Sequence, residues 1–263
     1  LQSNLAIAMN GEFDYSKVLV NLNGKKEVLI LASNLVEKCI KIFSKQNEIK
    51  VIKILETKKG AEYEGMKYVH IYLEETVSQK KFVKENHKHI HSVVLADYVT
   101  LGEGEDVLDK LEKKGSYKHT LRQGTKDEEQ DIKEKIDISL QDGTGLVHIA
   151  PGHGFEDFDV GKKYNLPIFS PVDTKGYLTE GIAKGIYFRE ANEPVMKNLK
   201  ERHILLFSKI KSHRYPCCWR SKVPIVYRAT EQWYIKRSAM TEDIIKANSN
   251  VKWYPQTGSQ YAQ

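Results

Sequence analysis

Within residues 148–157 stand His148, His153, Glu156 and Asp157, two imidazoles and two carboxylates near enough in sequence to share one pocket. Imidazoles move protons near neutral pH, and a fixed carboxylate holds a cation through a charge-assisted hydrogen bond. Strand alternation over Leu146–Ala150 puts Leu146, His148 and Ala150 on one face and Val147 and Ile149 on the other. Pro151-Gly-His-Gly154 then turns the chain into a helix from about Phe155 to Tyr164, with Glu156 and Asp157 in its first turn. Free N–H groups at such a helix start, beside a carboxylate, form a polar pocket floor. A plainer account fits the same residues. Acidic side chains in a first turn suit the helix dipole, and a strand histidine is often simply hydrogen-bonded. Spacing alone leaves both accounts open.

Other residues invite metal chemistry. His87, His89 and His91 alternate and would share a strand face, and His148, His153, His213, Cys217 and Cys218 add further donors. The paired Cys-x-x-Cys spacing of structural zinc is absent, and adjacent cysteines diverge on a strand, so no metal is expected. Gly143-Thr-Gly145 lacks the Gly-Lys-Ser/Thr of a phosphate loop and reads as a tight turn. Cys39 falls on the apolar face of a helix with Leu35, Val36, Ile40 and Phe43, which makes it a small core residue.

The elements that must position these groups are mostly short. Lys17–Leu22 and Glu27–Ala32 read as a hairpin joined through Asn23-Gly24, and Ser33 as the cap of the following helix. Further strands are expected at Val51–Thr57, Tyr68–Glu74 and Ser92–Thr100, and amphipathic helices at roughly Ala191–Arg202 and Thr241–Asn248. The fold class expected is mainly β with peripheral helices, barrel-like rather than a doubly wound sheet.

The chain has 263 residues, a size at which a substantial core can form. Its apolar runs are too short to span a bilayer. Three cysteines are too few for a disulfide framework, which predicts a reducing, cytoplasmic setting. Net charge is +6, unevenly spread: residues 101–141 hold 11 acidic and 8 basic side chains, a local −3 that leaves +9 on the rest. A basic body suits a polyanion such as nucleic acid, although lysine-rich surfaces are also common without one. Segment 101–141 is polar and weakly periodic, and it is expected to be an inserted, partly mobile excursion. Leu1 and Gln263 carry no start or stop signature, so the sequence is expected to be part of a longer chain.

Several runs together resemble the editing domain of isoleucyl-tRNA synthetases. They are Gly143-Thr-Gly-Leu-Val-His-Ile-Ala-Pro-Gly-His-Gly154 with Asp157, Val160-Gly-Lys-Lys-Tyr-Asn-Leu-Pro167 and Ser170-Pro-Val-Asp173. Also matching are His213-Arg-Tyr-Pro-Cys-Cys-Trp-Arg-Ser-Lys-Val-Pro224, Arg228-Ala-Thr-Glu-Gln-Trp-Tyr234 and Gly60-x-x-Tyr-Glu-Gly-Met-Lys-Tyr-Val-His70. The likeness covers nearly everything outside 101–141. It is weaker to the valyl and leucyl relatives, where the Gly-His-Gly turn typically reads Ala-His-Asp.

The resemblance implies a closed β-barrel formed by residues 1–100 and 142–235, with 236–263 leading back to a catalytic domain. It implies hydrolysis of the ester of valyl-tRNA carrying the isoleucine anticodon, by a monomer that needs neither metal nor organic cofactor. Asp157 would hold the α-ammonium of the esterified amino acid. His148 would limit side-chain size and place the terminal adenosine. Asn4, Gly152, His153 and Gly154 would complete the substrate-binding set. The partners implied are the 3′ end of the tRNA and the rest of the synthetase, whose catalytic domain uses ATP. Neither His-Ile-Gly-His nor Lys-Met-Ser-Lys-Ser occurs in these residues, so they should not aminoacylate. The family's threonine-rich motif would lie just before Leu1. Three alternatives stand beside this reading: editing of another amino acid, as in the valyl enzyme; a catalytically silent tRNA-binding module; and a metallohydrolase.

Overall fold

Asn23 and Gly24 both take positive φ, 50° and 84°, as the two central residues of a tight hairpin turn must. They join β2 (Asp14–Leu22) to β3 (Lys25–Ala32), with Leu22 opposite Lys25 and Tyr15 opposite Ala32. β4 (Ile49–Lys59) pairs antiparallel along the other edge of β2, so this sheet runs β3-β2-β4. The computed structural model describes residues 1–100, 143–208 and 215–255. The expected excursion at 101–141, residue 142 at the start of the second expected barrel segment, and His213 lie outside the described residues.

Between β3 and β4, Ser33–Leu35 form a 3-10 turn that runs into α1 (Val36–Phe43). Ser33 does not cap this helix. Its hydroxyl is shared with Ser16 Oγ at 2.8 Å. Val36, Cys39 and Phe43 face inward and pack with Val18, Val20 and Leu31 in one apolar cluster. The Cys39 thiol is buried there, and burial pushes it above the ordinary thiol range.

The second sheet holds the residues of interest. β1 (Ala6–Met9) is central, with β5 (Ser92–Leu95) parallel on one side and β6 (Val147–Ile149) antiparallel on the other. Ala6 pairs with Ile149 and Ile7 with His148. Because β1 and β6 run oppositely, the start of one and the end of the other share one end of the sheet. Residues 1–3 therefore lie beside the turn after β6. α3 (Phe155–Lys163) packs beneath through Val160, in a second cluster with Leu5, Val94 and Ile149. Also present are α2 (Val77–Lys84) and α4 (Asn192–Glu201). The chain divides into two compact units, Leu1–Ala229 and Thr230–Gln263. The second carries α5 (Thr241–Ser249) and exposes Trp233, Tyr234 and Ile235.

The closed barrel and the mainly-β class are not what forms. The described strands make two separate three-stranded sheets, neither closed, and helix and strand contents are about equal. Local hydrogen bonds explain the missing strands. At Tyr68–Glu74, the His70 ring accepts the Tyr72 N–H at 3.2 Å and its carbonyl accepts Leu73 N–H at 3.2 Å, so this run is a turn. β5 ends at Leu95, and Val99 N–H turns back onto Ala96 O at 3.2 Å. Groups satisfied within a turn cannot also extend a ladder.

Candidate functional site

The turn after β6 is the hinge of the site. Gly152 is required there because a Cβ would lie 2.2 Å from the Phe169 carbonyl oxygen. The Gly152 carbonyl accepts Ala229 N–H at 2.9 Å, and His153 N–H closes onto Ala150 O at 2.8 Å. With the turn packed on two neighbouring segments, α3 must start at Phe155 and carry Asp157 back toward β6. Asp157 Oδ2 accepts the Ala150 N–H at 3.0 Å. Its Oδ1 accepts the hydroxyl of Tyr98 at 3.2 Å.

A cavity of about 1150 Å³ opens at this end of the sheet. His148, Ala150, His153 and Asp157 line one side, and Leu1, Gln2 and Ser3 another. Val195, Met196 and Leu199 of α4 give an apolar wall, joined by Val172, Leu178 and Phe188. Lys200 supplies a cation. The spacing 195, 196, 199 is one helical face, the amphipathic pattern read from the sequence.

Surface area leaves His148 exposed, yet it stands in this recess and pairs through β6 with Ile7. Desolvation by the surrounding protein lowers its pKa, so the ring is neutral at pH 7. His153 is likewise pushed down by burial. Its Nδ1 lies 2.9 Å from the Tyr227 carbonyl, which can only accept, so Nδ1 carries the proton.

Of the expected set, His148, His153 and Asp157 converge on the cavity. Gly152 and Gly154 shape the turn behind it. Glu156 is exposed and does not line it. Asn4 lies behind the wall rather than on it: its side chain donates to Ala6 O at 2.8 Å and accepts from the Tyr68 hydroxyl. The alternating histidines share no strand face. His87 meets Glu85 at 3.4 Å, His89 packs edge-on to Tyr164, and His91 Nε2 reaches Gln79 Oε1 at 2.8 Å. Among the described residues, no three His, Cys, Asp or Glu side chains converge as a metal site needs.

Two residues were not legible as part of the site. Gln79, fully buried on α2, donates to the carbonyls of Gln2 and Asn4, both at 2.9 Å, and so braces the wall formed by residues 1–3. Tyr98 holds Asp157 from a segment 59 residues away. No local pattern signals either; only β1 pairing with β5 and β6 brings them in.

The chain belongs to the class I tRNA synthetases (I, L, M and V), whose family profile matches residues 9–263. Isoleucine–tRNA ligases of Pyrococcus furiosus and Methanocaldococcus jannaschii are 40% and 38% identical to it over 257 and 255 residues, 97% of this chain in each case. That of Caldicellulosiruptor saccharolyticus is 35% identical over 261 residues. The chain spans only about a fifth of the length of these relatives, 20%, 21% and 22% respectively. A solved structure described as "The crystal structure of GlLeuRS-CP1" overlays with a TM-score of 0.43 at 11% identity, covering 80% of each chain, too distant a likeness to bear on the fold. Among the described residues, no helix is long and apolar enough to cross a membrane.

Proposed function

We propose that this region is the editing domain of an isoleucine–tRNA ligase and hydrolyses the ester linking valine to the 3′ end of tRNA(Ile). The observation that carries the reading is the convergence of Asp157 and neutral His148 on one cavity, in a chain of this family. The cavity, about 1150 Å³, exceeds the usual small-molecule range of roughly 300–1,000 Å³, leaving room for an amino acid joined to a nucleoside.

The chemical need is physical. One methylene in an apolar pocket discriminates by roughly 1–3 kcal/mol, a general figure for which isoleucine against valine is itself the standard illustration. A second site that admits the smaller product and rejects the larger one supplies the rest. Asp157 anchors the substrate ammonium, which fixes the ester carbonyl before an attacking water. Neutral His148 does not repel that ammonium, and its ring occupies space an isoleucine side chain would need. The ester C–O bond breaks, valine leaves as the acid, and the ribose oxygen takes a proton. No covalent nucleophile, metal or organic cofactor enters this scheme; ATP belongs to the synthetic reaction of the longer enzyme.

Single-turnover hydrolysis of valyl-tRNA(Ile) against threonyl-tRNA(Val) by the full-length chain tests the proposal. Preference for the valyl ester supports it. Preference for the threonyl ester assigns a valyl-type specificity, and no hydrolysis of either leaves a tRNA-binding module.

A further inference from the structure

We propose that Tyr98 is a positioning residue for Asp157, the side chain that sets the direction in which the carboxylate meets the substrate ammonium; this rests on the editing reading above. Three contacts define the slot that holds the carboxylate. The Tyr98 hydroxyl donates to Oδ1 at 3.2 Å, and the Ala150 N–H donates to Oδ2 at 3.0 Å. The third side is Gly154, where a Cβ would stand 3.1 Å from Cγ and 3.2 Å from Oδ2. The last torsion of an aspartate is broad and nearly two-fold, so one tether leaves the carboxylate plane free to swing. Ala150, the residue just after β6, supplies that one tether. Tyr98 supplies the second from the segment after β5, and the plane is fixed only with both.

Holding does not use up the carboxylate. Its two oxygens offer about four acceptor positions, so two remain for a cation entering from the cavity side. Tyr98 is suited to the task because it stays a donor. Burial first, and then the negative charge of Asp157, push its phenol well above the ordinary value, so the O–H persists wherever the ester does. Tyr98 itself packs on the apolar cluster under the second sheet and does not line the cavity, which leaves Asp157 as the group that touches substrate.

The test uses the full-length chain with Tyr98→Phe, Asp157→Ala and the double variant, each assayed for steady-state deacylation of valyl-tRNA(Ile). Removing one hydrogen bond to a charged group predicts about a tenfold loss in kcat/KM for Tyr98→Phe, carried by KM with kcat little changed. In the Asp157→Ala background, Tyr98→Phe should cost nothing further. Thermal midpoints of parent and Tyr98→Phe should agree within a few degrees, since Phe keeps the packing. Unchanged kinetics in Tyr98→Phe overturn the proposal while leaving the editing reading intact. So does an equal loss in the presence and absence of Asp157, which would mean the hydroxyl acts through the fold. Normal deacylation by Asp157→Ala fails the editing reading itself.

Discussion

The imidazoles of His70 and His91 stack with ring centroids 5.0 Å apart and planes 23° from parallel. The hydrogen bonds hold His70 neutral, and burial keeps His91 neutral at pH 7. His70 Nδ1 accepts the Tyr72 N–H, so its Nε2 carries the proton and donates to Leu1 O at 3.2 Å. Gln79 uses its amide N–H groups on the carbonyls of Gln2 and Asn4, which leaves its oxygen to accept from His91 Nε2. Charging His70 would break its bond from the Tyr72 N–H, and charging either ring would place a cation against its neighbour.

Acid lability follows. Burial, then His70, then Lys67 lower His91 to about 4, and burial lowers His70 as well. Tyr68 and Gln79 also face His91, and neither brings a compensating negative charge. A histidine depressed in the fold binds its proton more tightly when unfolded, so its contribution is intact above the unfolded value of about 6.5 and is lost as pH falls toward 4. For His91 this is on the order of 3 kcal/mol across the window. Urea unfolding at pH 7 and pH 5 should show a marked fall for the parent and a smaller one for His91→Phe. Equal pH dependence in both would refute the assignment.

Asp157→Ala in the full-length chain should sharply reduce deacylation of valyl-tRNA(Ile) and leave isoleucine activation intact. Losing a desolvated charge-assisted contact corresponds to roughly 2–5 kcal/mol of transition-state binding, or about 30-fold to several thousand-fold in kcat/KM. Separate assays of pyrophosphate exchange and deacylation make the comparison; near-normal deacylation would sink the role.

His148→Ala should widen the cavity beside Ala150, so that isoleucyl-tRNA(Ile), correctly charged, becomes a hydrolysis substrate. The His148 backbone pairs with Ile7 through β6, while its ring lines the recess and belongs to neither apolar cluster, so the fold should tolerate its loss. Deacylation of the isoleucyl ester decides the matter. A rate no higher than the parent's would leave His148 without a part in selecting size.

Gly152→Ala should destabilise the fold by about 1–3 kcal/mol, the usual cost of forcing extra volume into a packed site. Its new methyl would meet Phe169 backbone at 2.2 Å, and main chain cannot step aside as a side-chain end can. Gly143→Ala is the matched control, since its Cβ would find no nearer atom than Gly145 N at 3.9 Å. Thermal melts should separate the two by several degrees; similar midpoints would show that the turn yields.

Local chemistry in the sequence was enough for the β2–β3 hairpin, whose Asn23-Gly24 turn needs positive φ at both positions. It was enough for α1, with Cys39 on its inner face, and for the strand-turn-helix unit that presents His148 and Asp157. The long motif runs, read in order, were enough to place the chain in its family. In each case the deciding interactions span only a few residues, or the residue order itself is the signal. What the tertiary structure decided involves pairings distant in the chain. Tyr68–Glu74 is as β-prone as a strand but becomes a turn, because His70 satisfies its neighbours' N–H groups and points its ring at Leu1 and His91. The described strands close into no barrel: β1, β5 and β6 are only four, four and three residues long and form an open three-stranded sheet. Asn4 meets the Tyr68 hydroxyl across 64 positions. Gln79 meets residues 77 and 75 positions away, and Tyr98 meets Asp157 across 59. Such contacts leave no periodic trace, because a hydrogen bond between distant segments constrains where two backbones meet and not which residues flank either partner.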